Sequence, residues 1–395
     1  MGEKRLVPEL RFPEFKRDWS IMSLSNFITS LDSGVSVNSE NKPATEDQVG
    51  ILKTSCISRG VFKPEENKSI LENEISRARL NPKKDSILIS RMNTPDLVGE
   101  IGYVPFDYPN LFLPDRLWMT KTNTRIIVKW LAYLLITPKN RSVISSIGTG
   151  TSGSMKNISK PNFLGLKFYC PELKEQQKIA TFLTSVDQRI QLLEKKKAKL
   201  EAYKKGVMQQ IFSQEVRFKD ENGKDFPNWE EKKLGEIAKI TTGKLDANAM
   251  VEKGKYRFYT CAKDFYFIDE FAFDFEALLI SGNGANVGYV HYYKGKFNAY
   301  QRTYILYNIE ESYLFIKFFL DINLQRRIHK EKKDGNTPYI VMNTLADMLI
   351  KIPCIKEQQK IAAFLSGIDK NIEQITQQIE KSKSFKKGLL QQLFV

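Results

Sequence analysis

Apolar residues recur at spacings of three and four along two long stretches of the chain, residues 171–212 and 353–394. Each stretch starts at a proline and has no proline inside it. The pattern therefore predicts two uninterrupted α-helices, each of roughly 40 residues and about 60 Å. Their apolar positions include Ile179, Phe182, Val186, Ile190 and Leu193 in the first helix, and Ile361, Phe364, Ile368, Ile372 and Ile375 in the second.

Stripes of this length must be buried, and the simplest burial is one helix against the other in an antiparallel coiled coil. An ordinary helical hairpin or a dimer zipper is the alternative. The two helices are also copies of one sequence, because the run Glu-Gln-Gln-Lys-Ile-Ala-x-Phe-Leu starts at Glu175 and again at Glu357. Gly206 and Gly388 occupy matching places and predict a bend or a close approach of another backbone there.

A stretch of sequence precedes each long helix, and the two stretches differ from each other. Each stretch begins with a similar short motif, which ends at Trp19 in the first and at Trp229 in the second. Short aromatic and β-branched runs separated by Gly, Asn and Asp predict mixed domains rich in short strands. Residues 130–136 and 313–320 predict helices in corresponding places. We expect an α/β (α+β) protein with a pseudo-twofold repeat, divided into a first domain (1–170), a central helix (171–214), a second domain (215–352) and a final helix (353–395).

Composition and charge narrow the range of possible functions. The net charge of +15 favours a polyanionic partner, nucleic acid before membrane. The chain has no long apolar run that would predict a membrane span or a secretory signal, so we expect a cytoplasmic protein. Four scattered cysteines and two histidines give neither a metal knuckle nor a plausible hydrolytic triad.

The two helices, each running from Pro-x-x-x-Glu-Gln-Gln-Lys-Ile-Ala-x-Phe-Leu to Lys-Lys-Gly-x-x-Gln-Gln-x-Phe, together with the short motifs that end at Trp19 and Trp229, resemble the specificity subunit of Type I restriction-modification systems. The resemblance covers nearly the whole chain. It implies two target recognition domains, at about 20–170 and 230–352, joined by a coiled-coil spacer. The recognition domains differ freely between members of this family, so the resemblance assigns no base contacts.

The resemblance further implies a non-catalytic, nucleoid-associated reader of double-stranded DNA. Each domain would read one half of a bipartite, gapped site, and the helices would set the spacer. Two methyltransferase subunits would transfer a methyl group from S-adenosylmethionine to adenine N6, and two restriction or motor subunits would use ATP and magnesium for cleavage. The chain itself would bind no cofactor and no metal. It contains no Asn-Pro-Pro-Tyr or Asp-Pro-Pro-Tyr run that could bind a flipped adenine.

The strongest DNA-binding candidates lie on two loops that each follow a predicted helix. Arg, Lys, Asn, Gln, Ser and Thr on loops are the side chains that contact phosphates and base edges. The first loop contributes Thr149, Thr151, Ser152, Ser154, Lys156 and Asn157, and the second contributes Lys332, Lys333, Asn336, Thr337 and Tyr339. Second choices are Arg91, Asn93 and Arg116 in the first domain and Asn283, Asn286, Gln301 and Arg302 in the second.

Three other interpretations stay open on sequence alone. The first loop spells Gly-x-Gly-x-x-Gly, but it follows a predicted helix instead of the strand that a dinucleotide site requires. Glu66 and Lys68 suggest a metal-dependent nuclease, although no spaced acidic partner accompanies them. A coiled-coil adaptor with non-specific DNA binding would explain the helices, but it gives no reason for two divergent domains.

Overall fold

The structure is a computed structural model and describes residues 7–150, 154–331 and 339–395. The chain forms two compact units. Unit 1 comprises Met1–Leu192 and Ile379–Val395, and unit 2 comprises Leu193–Gln378. Each unit therefore contains one variable domain, the start of the long helix that follows it and the end of the other long helix.

Unit 1 is built on a mixed sheet of six strands in the order β2-β11-β7-β9-β5-β4 among the described residues, with β5 parallel to β9. Three smaller sheets, β10-β3-β6, β1-β13 and β12-β8, flank it. Its strands are β1 (Ser20–Ser23), β2 (Ile28–Ser33), β3 (Gly50–Leu52), β4 (Ile57–Ser58), β5 (Gly60–Phe62), β6 (Asn67–Ser69), β7 (Ser86–Ser90), β8 (Met92–Asn93), β9 (Ile101–Val104), β10 (Leu111–Phe112), β11 (Leu117–Thr122), β12 (Lys156–Asn157) and β13 (Lys167–Cys170). Its helices are α1 (Val128–Ile136), α2 (Pro138–Ser146), α3 (Lys160–Leu164) and the first half of α4 (Leu173–Phe212).

Unit 2 repeats this plan with fewer elements. Its strands are β14 (Glu230–Lys233), β15 (Lys239–Thr242), β16 (Tyr256–Tyr259), β17 (Tyr266–Ile268), β18 (Phe273–Ser281), β19 (Val290–Ala299), β20 (Thr303–Tyr307) and β21 (Leu349–Ile352). Its helices are α5 (Leu234–Ile237), α6 (Tyr313–Glu331), α7 (Met342–Ala346) and most of α8 (Ile355–Gln392). The six-stranded sheet has the order β15-β20-β18-β19-β16-β17, with β16 parallel to β19. Its parallel and antiparallel pairs follow the pattern of the unit 1 sheet, but the last two strands have exchanged places in chain order: the strand parallel to its neighbour is the later of the two in unit 1 (β5) and the earlier in unit 2 (β16).

The predicted elements are confirmed. Both long helices form without interruption, as α4 and α8, and the aromatic runs in unit 2 form strands β16, β19 and β20. The helices expected at residues 130–136 and 313–320 are α1 and α6. The fold is therefore a repeated mixed α/β domain with two long antiparallel helices, as the repeat in the sequence predicts.

Within each unit, α4 and α8 run antiparallel and are joined by the same ion pair. In unit 1, Lys386 of α8 bonds Asp187 of α4 at 2.6 Å; in unit 2, Lys204 of α4 bonds Asp369 of α8 at 2.6 Å. Both lysines also lie over an aromatic ring, that of Tyr133 or that of Phe318. The lysines and the aspartates each stand 182 positions apart, so the helix repeat in the sequence is a repeat of contacts in space.

The end of each long helix fills the core of the unit that it reaches. In unit 1, Phe394 packs on Trp130, with ring centroids 5.9 Å apart, and Trp130 packs on Trp19 at 6.1 Å. In unit 2, Phe212 packs on Phe315 at 5.5 Å, and Phe315 packs on Trp229 at 5.8 Å. Burying an aromatic side chain of this size contributes about 1.5–3 kcal/mol, so each core depends on a helix that belongs to the other half of the sequence.

The Glu-Gln pair of the repeat anchors the start of each long helix. Glu175 is buried and accepts two hydrogen bonds from Arg11, both 2.8 Å. The neighbouring amide of Gln176 accepts a hydrogen bond from the backbone of Ile127 at 2.9 Å and donates one to the carbonyl of Pro171 at 2.9 Å. Buried carboxylates and amides require such partners, which explains the glutamate and the glutamine on an otherwise apolar face.

Unit 2 repeats this anchor with Glu357 and Gln358. Glu357 accepts hydrogen bonds from Arg217 and from the indole of Trp229 at 3.1 Å. The pKa of each arginine is raised, first by its hydrogen bond to the glutamate.

The expected bend or close approach at Gly206 and Gly388 is wrong within this chain. Both helices continue through the glycines, and a Cβ atom added there would meet nothing within 4 Å among the described residues. In the part of the chain that the structure describes, no helix is long and apolar enough to cross a membrane.

Candidate nucleic-acid interface

In unit 1, a loop at residues 91–98, here called L1, extends from the end of strand β7. Two backbone hydrogen bonds close its base: Gly99 donates to Ser90 at 2.7 Å, and Ser90 donates to Glu100 at 2.8 Å. Gly99 has φ +76°, a left-handed conformation that favours glycine. The sheet therefore holds both ends of L1.

The structure brings the two sets of candidates in unit 1 together. Strand β8 within L1 pairs with β12, which places Asn93 opposite Lys156, and Asn157 pairs in turn with Thr149. The carbonyl of Arg91 accepts a hydrogen bond from Ile158 at 2.8 Å. Ser154 is exposed beside this hairpin, whereas Thr151 and Ser152 lie outside the described residues.

Arg91 and Arg116 differ in their availability to a ligand. The Arg91 side chain donates to the carbonyl of Asp115 at 2.7 Å and lies 3.6 Å from its carboxylate. Arg116 is exposed, and its side chain makes no hydrogen bond or ion pair with the described residues. Since a guanidinium can bond a guanine edge or a phosphate, Arg116 is ready for such a contact, and Arg91 must first exchange Asp115 for it.

Unit 2 carries the same arrangement at residues 282–287, here called L2. Gly288, with φ +79°, donates to Ser281 at 2.7 Å, and Ser281 donates to Tyr289 at 3.0 Å. Gly282 bonds Arg302 at 2.8 Å and Ile340 at 2.9 Å. L1 and L2 therefore emerge from equivalent places in the two units.

The candidates of unit 2 meet at L2. Asn283 pairs with Tyr339, whose side chain is 56% exposed, and Arg302 is exposed beside them. The Asn286 amide donates to Cys261 at 3.2 Å, and the Gln301 amide donates to Asp246 at 2.7 Å. The remaining candidates, Lys332, Lys333, Asn336 and Thr337, lie outside the described residues.

Sequence reasoning missed Tyr289, which directly follows the glycine that closes L2. Its half-exposed ring packs edge-on against His291 at 4.8 Å. Burial lowers the pKa of His291, whose ring contacts the Ala262 carbonyl at 3.0 Å. Tyr289 also lines a cavity of about 630 Å³ with Lys263, Asn286 and His329. Its position directly after Gly288 was the feature of the sequence that could have identified it.

The ten apolar residues proposed for the coiled coil and for subunit docking are mostly internal. Six of them pack in the two main cores or are half-buried against them: Ile179, Phe182, Val186, Ile361, Ile368 and Ile372. Ile190 and Ile375 are buried, Leu193 is half-buried, and Phe364 is exposed and contacts the ring of Phe218. These side chains hold the helices in place, so a docking partner must use the outward faces.

The residues of the nuclease hypothesis do not form a metal site. Glu66 is half-buried, and its carboxylate accepts hydrogen bonds from Ser55 at 2.8 Å and Lys53 at 3.3 Å. These two contacts lower its pKa. Within residues 7–150, 154–331 and 339–395, no group of three His, Cys, Asp or Glu side chains is placed to hold a metal ion.

Comparison with known families matches the chain twice to the Type I restriction modification DNA specificity domain, at residues 16–202 and 227–381. The EcoDI specificity subunit of Escherichia coli is 36% identical over 154 residues, which are 39% of this chain and 34% of that protein. The putative MjaX specificity subunit of Methanocaldococcus jannaschii is 25% identical over 401 residues, 94% of this chain and 92% of that one.

Among solved structures, the S subunit of a Type I restriction-modification system from M. genitalium superposes with a TM-score of 0.64 at 20% identity, covering 98% of this chain and 99% of that one. At this identity the likeness establishes the fold. The two family matches cover most of the chain, one in each half, and they confirm the resemblance seen in the sequence. The chain belongs to the Type I restriction modification DNA specificity domain family.

Proposed function

We propose that this chain is the non-catalytic DNA specificity subunit of a Type I restriction-modification complex, and that each unit reads one half of a bipartite, gapped site in double-stranded DNA. One observation carries the proposal: the same loop base, formed by Ser90 and Gly99 or by Ser281 and Gly288, presents different polar side chains in the two units. A shared scaffold with divergent hydrogen-bonding groups is what reading two different base sequences requires.

The long helices would set the spacer between the half-sites. Half-sites read from one face of B-DNA lie about 34 Å apart, or one helical turn, and a helix of 40 residues is about 60 Å long. The net charge of +15 would supply salt-dependent affinity for phosphates. Partner subunits would supply the chemistry, with S-adenosylmethionine bound by two methyltransferase subunits, and ATP and magnesium used by two restriction subunits. The complex would act in the cytoplasm, at the nucleoid.

A genome-wide map of N6-methyladenine tests the proposal. Cells carrying the cognate methyltransferase subunit are compared with and without this chain. We expect a bipartite, gapped motif that disappears when the chain is removed. An unchanged methylome, with the methyltransferase shown to be active, would favour the alternative of a coiled-coil adaptor that binds DNA without sequence preference.

Methyltransferase docking would use a surface that occurs once on each long helix. We call the two copies the aromatic-glycine patches: residues 203–206 on α4 and residues 385–388 on α8. Tyr203 is 54% exposed and Phe385 is 57% exposed, and each lies one turn before an open glycine, Gly206 or Gly388. Exposed aromatic side chains are typical anchors of protein interfaces, and a helix glycine allows a partner backbone to approach closely.

The duplication indicates two copies of one partner. The lysine that follows each aromatic residue is engaged by Asp369 or Asp187, whereas Lys205 and Lys387 are exposed and form no ion pair with the described residues. These free charges favour an acidic surface on the methyltransferase. Because the patches recur at the same offset of 182 residues on the two helices, a partner present twice would bind them.

Native mass spectrometry of the complex with its methyltransferase subunit tests this docking surface. We expect Tyr203→Ala and Phe385→Ala each to remove one methyltransferase copy, and the double variant to remove both. Leu192→Ala is the control, because Leu192 is 67% exposed on α4 and has no apolar counterpart on α8. Two copies retained by the double variant would exclude the patches as the docking sites.

A further inference from the structure

In each unit, a polar side chain on a helix donates a hydrogen bond to the backbone of the loop, L1 or L2. In unit 1, Arg141 of α2 donates a hydrogen bond from Nη2 to the carbonyl of Asp96, in the middle of L1, at 3.0 Å. In unit 2, Gln325 of α6 donates from Nε2 to the carbonyl of Val287, at the end of L2, at 2.6 Å. We call these two contacts the loop clamps.

The clamps occupy the same place in the two units. A Cβ atom added to Gly99 would lie 2.4 Å from Ile144 and 3.5 Å from Arg141. A Cβ atom added to Gly288 would lie 2.7 Å from Ile328 and 2.8 Å from Gln325. In both helices the isoleucine follows the clamp residue by three positions, so one helical turn packs under the closing glycine of each loop.

The clamp of unit 1 is the stiffer one. Arg141 also donates from Nε to Glu100 at 3.0 Å, and the other carboxylate oxygen of Glu100 accepts a hydrogen bond from the backbone of Arg59 at 2.6 Å. Ser145, one turn further along α2, adds a hydrogen bond to the carbonyl of Pro95 at 3.1 Å. The planar guanidinium is thereby held by the Glu100 carboxylate and the Asp96 carbonyl at once.

The clamp of unit 2 relies on one amide. The Gln325 side chain is neutral, and its hydrogen bond holds L2 at Val287, next to the closing glycine. L2 is also two residues shorter than L1. A shorter loop has less conformational freedom to restrain, so a single neutral hydrogen bond can serve where L1 needs a charged network.

We propose that Arg141 and Gln325 are positioning residues that set the base preference of L1 and L2 without touching DNA. This inference rests on the proposed function, in which the two loops read the half-sites. Hydrogen bonds to base edges require the loop backbone to be held within about 0.5 Å of its binding geometry. Discrimination of about tenfold to hundredfold at one base pair depends on that placement.

Competition binding by the complex of this chain with its methyltransferase subunit tests the clamps. The competitors are duplexes with single base changes in the first or the second half of the site found by methylation mapping. The variants are Arg141→Gln, which removes the bond network and the charge, and Gln325→Leu, which removes the donor at similar volume. Controls are Arg125→Gln and Asn248→Leu, which change exposed residues of unit 1 and unit 2.

For Arg141→Gln we expect discrimination in one half of the site to fall about tenfold, while discrimination in the other half and affinity for unrelated DNA change less than about twofold. Gln325→Leu should affect the opposite half, by a smaller factor. Arg141→Lys, which keeps the charge and a donor, should restore part of the loss. The controls should match the unmodified chain.

Two results would overturn the assignment: unchanged discrimination in both variants, or an equal loss in both halves of the site. An equal loss accompanied by weaker binding to unrelated DNA would indicate general unfolding, which thermal unfolding of each variant reports separately. If the unmodified complex itself discriminates in neither half, the proposed function fails, and the clamps fail with it.

Discussion

The two units use one plan with different side chains, and the buried glutamates show this most clearly. Among the described residues, Glu175 in unit 1 receives side-chain hydrogen bonds from Arg11 alone, whereas Glu357 in unit 2 receives them from Arg217 and from Trp229. The indole nitrogen of Trp19, the counterpart of Trp229, is buried and has no hydrogen-bond partner in the part of the chain that the structure describes. The ring contact is thus the shared role of the two tryptophans, and the hydrogen bond belongs to unit 2.

The candidate DNA-binding surfaces around L1 and L2, here called the edges of unit 1 and unit 2, differ in a similar way. The edge of unit 1 is basic, with Arg91, Arg116 and Lys156, and its loop is clamped by an arginine in an ion pair. The edge of unit 2 presents the amide Asn283 beside an exposed tyrosine and one exposed arginine, Arg302, and its loop is clamped by an amide. The backbone arrangement is conserved between the units while the chemistry on it varies, so a change of side chains can alter one edge and leave the other intact.

The largest difference in stability between the two units should appear when the arginine that pairs with each buried glutamate is replaced. Leaving a buried carboxylate without its cation costs about 3–5 kcal/mol. Arg217→Met leaves Glu357 with the Trp229 donor, whereas Arg11→Met leaves Glu175 with no side-chain donor that the structure describes. We therefore expect Arg11→Met to lower the free energy of unfolding of its unit further, by roughly 1.5 kcal/mol or more.

Urea unfolding combined with hydrogen exchange at the start of α4 and of α8 measures the two losses separately. Arg17→Met is the control, because Arg17 is exposed and lies 3.7 Å from Glu172, a surface pair that contributes little. Equal losses in the two arginine variants would contradict the role given to Trp229.

A smaller difference in stability should distinguish alanine substitutions at the two glycines that close L1 and L2. Alanine at a positive φ costs about 1–3 kcal/mol by backbone strain alone. Gly99→Ala would also press its Cβ to 2.4 Å from the branched Cγ2 methyl of Ile144, whereas Gly288→Ala would meet the more flexible Cδ1 end of Ile328 at 2.7 Å. We expect Gly99→Ala to be the more destabilising in thermal unfolding.

Gly284→Ala separates strain from crowding in that experiment. Gly284 has φ +80°, but a Cβ there would meet nothing within 4 Å of it among the described residues. It should lower the melting temperature by less than either of the other two variants. A loss as large as that of Gly99→Ala would show that crowding by Ile144 is unimportant.

Substitution of the two helix glycines should have the smallest effect on stability, and the effect should be the same in both units. Gly206→Ala and Gly388→Ala should each stabilise the free chain by up to about 1 kcal/mol, because alanine is the better helix former and each added Cβ lies in open space. Both variants should also weaken methyltransferase docking. Gly367→Ala on α8 is the matched control, since Gly367 is equally open and has a serine at the matching place on α4. A variant that is stabilised and docks normally would remove the glycines from the interface.

Much of the fold could be predicted from the sequence because its signals are local. The spacing of apolar residues such as Ile179 and Ile361 determines the long helices, and aromatic runs such as residues 256–259 identify strands. Periodicity reports that a residue is buried but not what buries it. It therefore could not show that Phe212 and Phe394 complete the cores of opposite units.

The candidate sites were predicted less completely. Gly, Asn and Arg near strand ends identified the loops L1 and L2, and the structure groups Asn93 with Lys156 and Asn283 with Tyr339. Arg141 and Gln325 carry no sequence signal, because a polar residue on a helix resembles any solvated position until the loop that packs on it is known. The role of Glu175 was missed for the same reason, since its partner Arg11 lies far away along the chain.

The exchange of helix ends bears on how the protein is made. Unit 2 is a continuous stretch, Leu193–Gln378, and can fold once that stretch has left the ribosome. Unit 1 needs Ile379–Val395, with Phe394 in its core, although its other residues are synthesised first. At about 5–20 residues per second, the nascent first domain waits roughly 10–40 s for this helix. During synthesis the amino-terminal domain is therefore the last to be completed, and for that interval the core that Phe394 fills stays open.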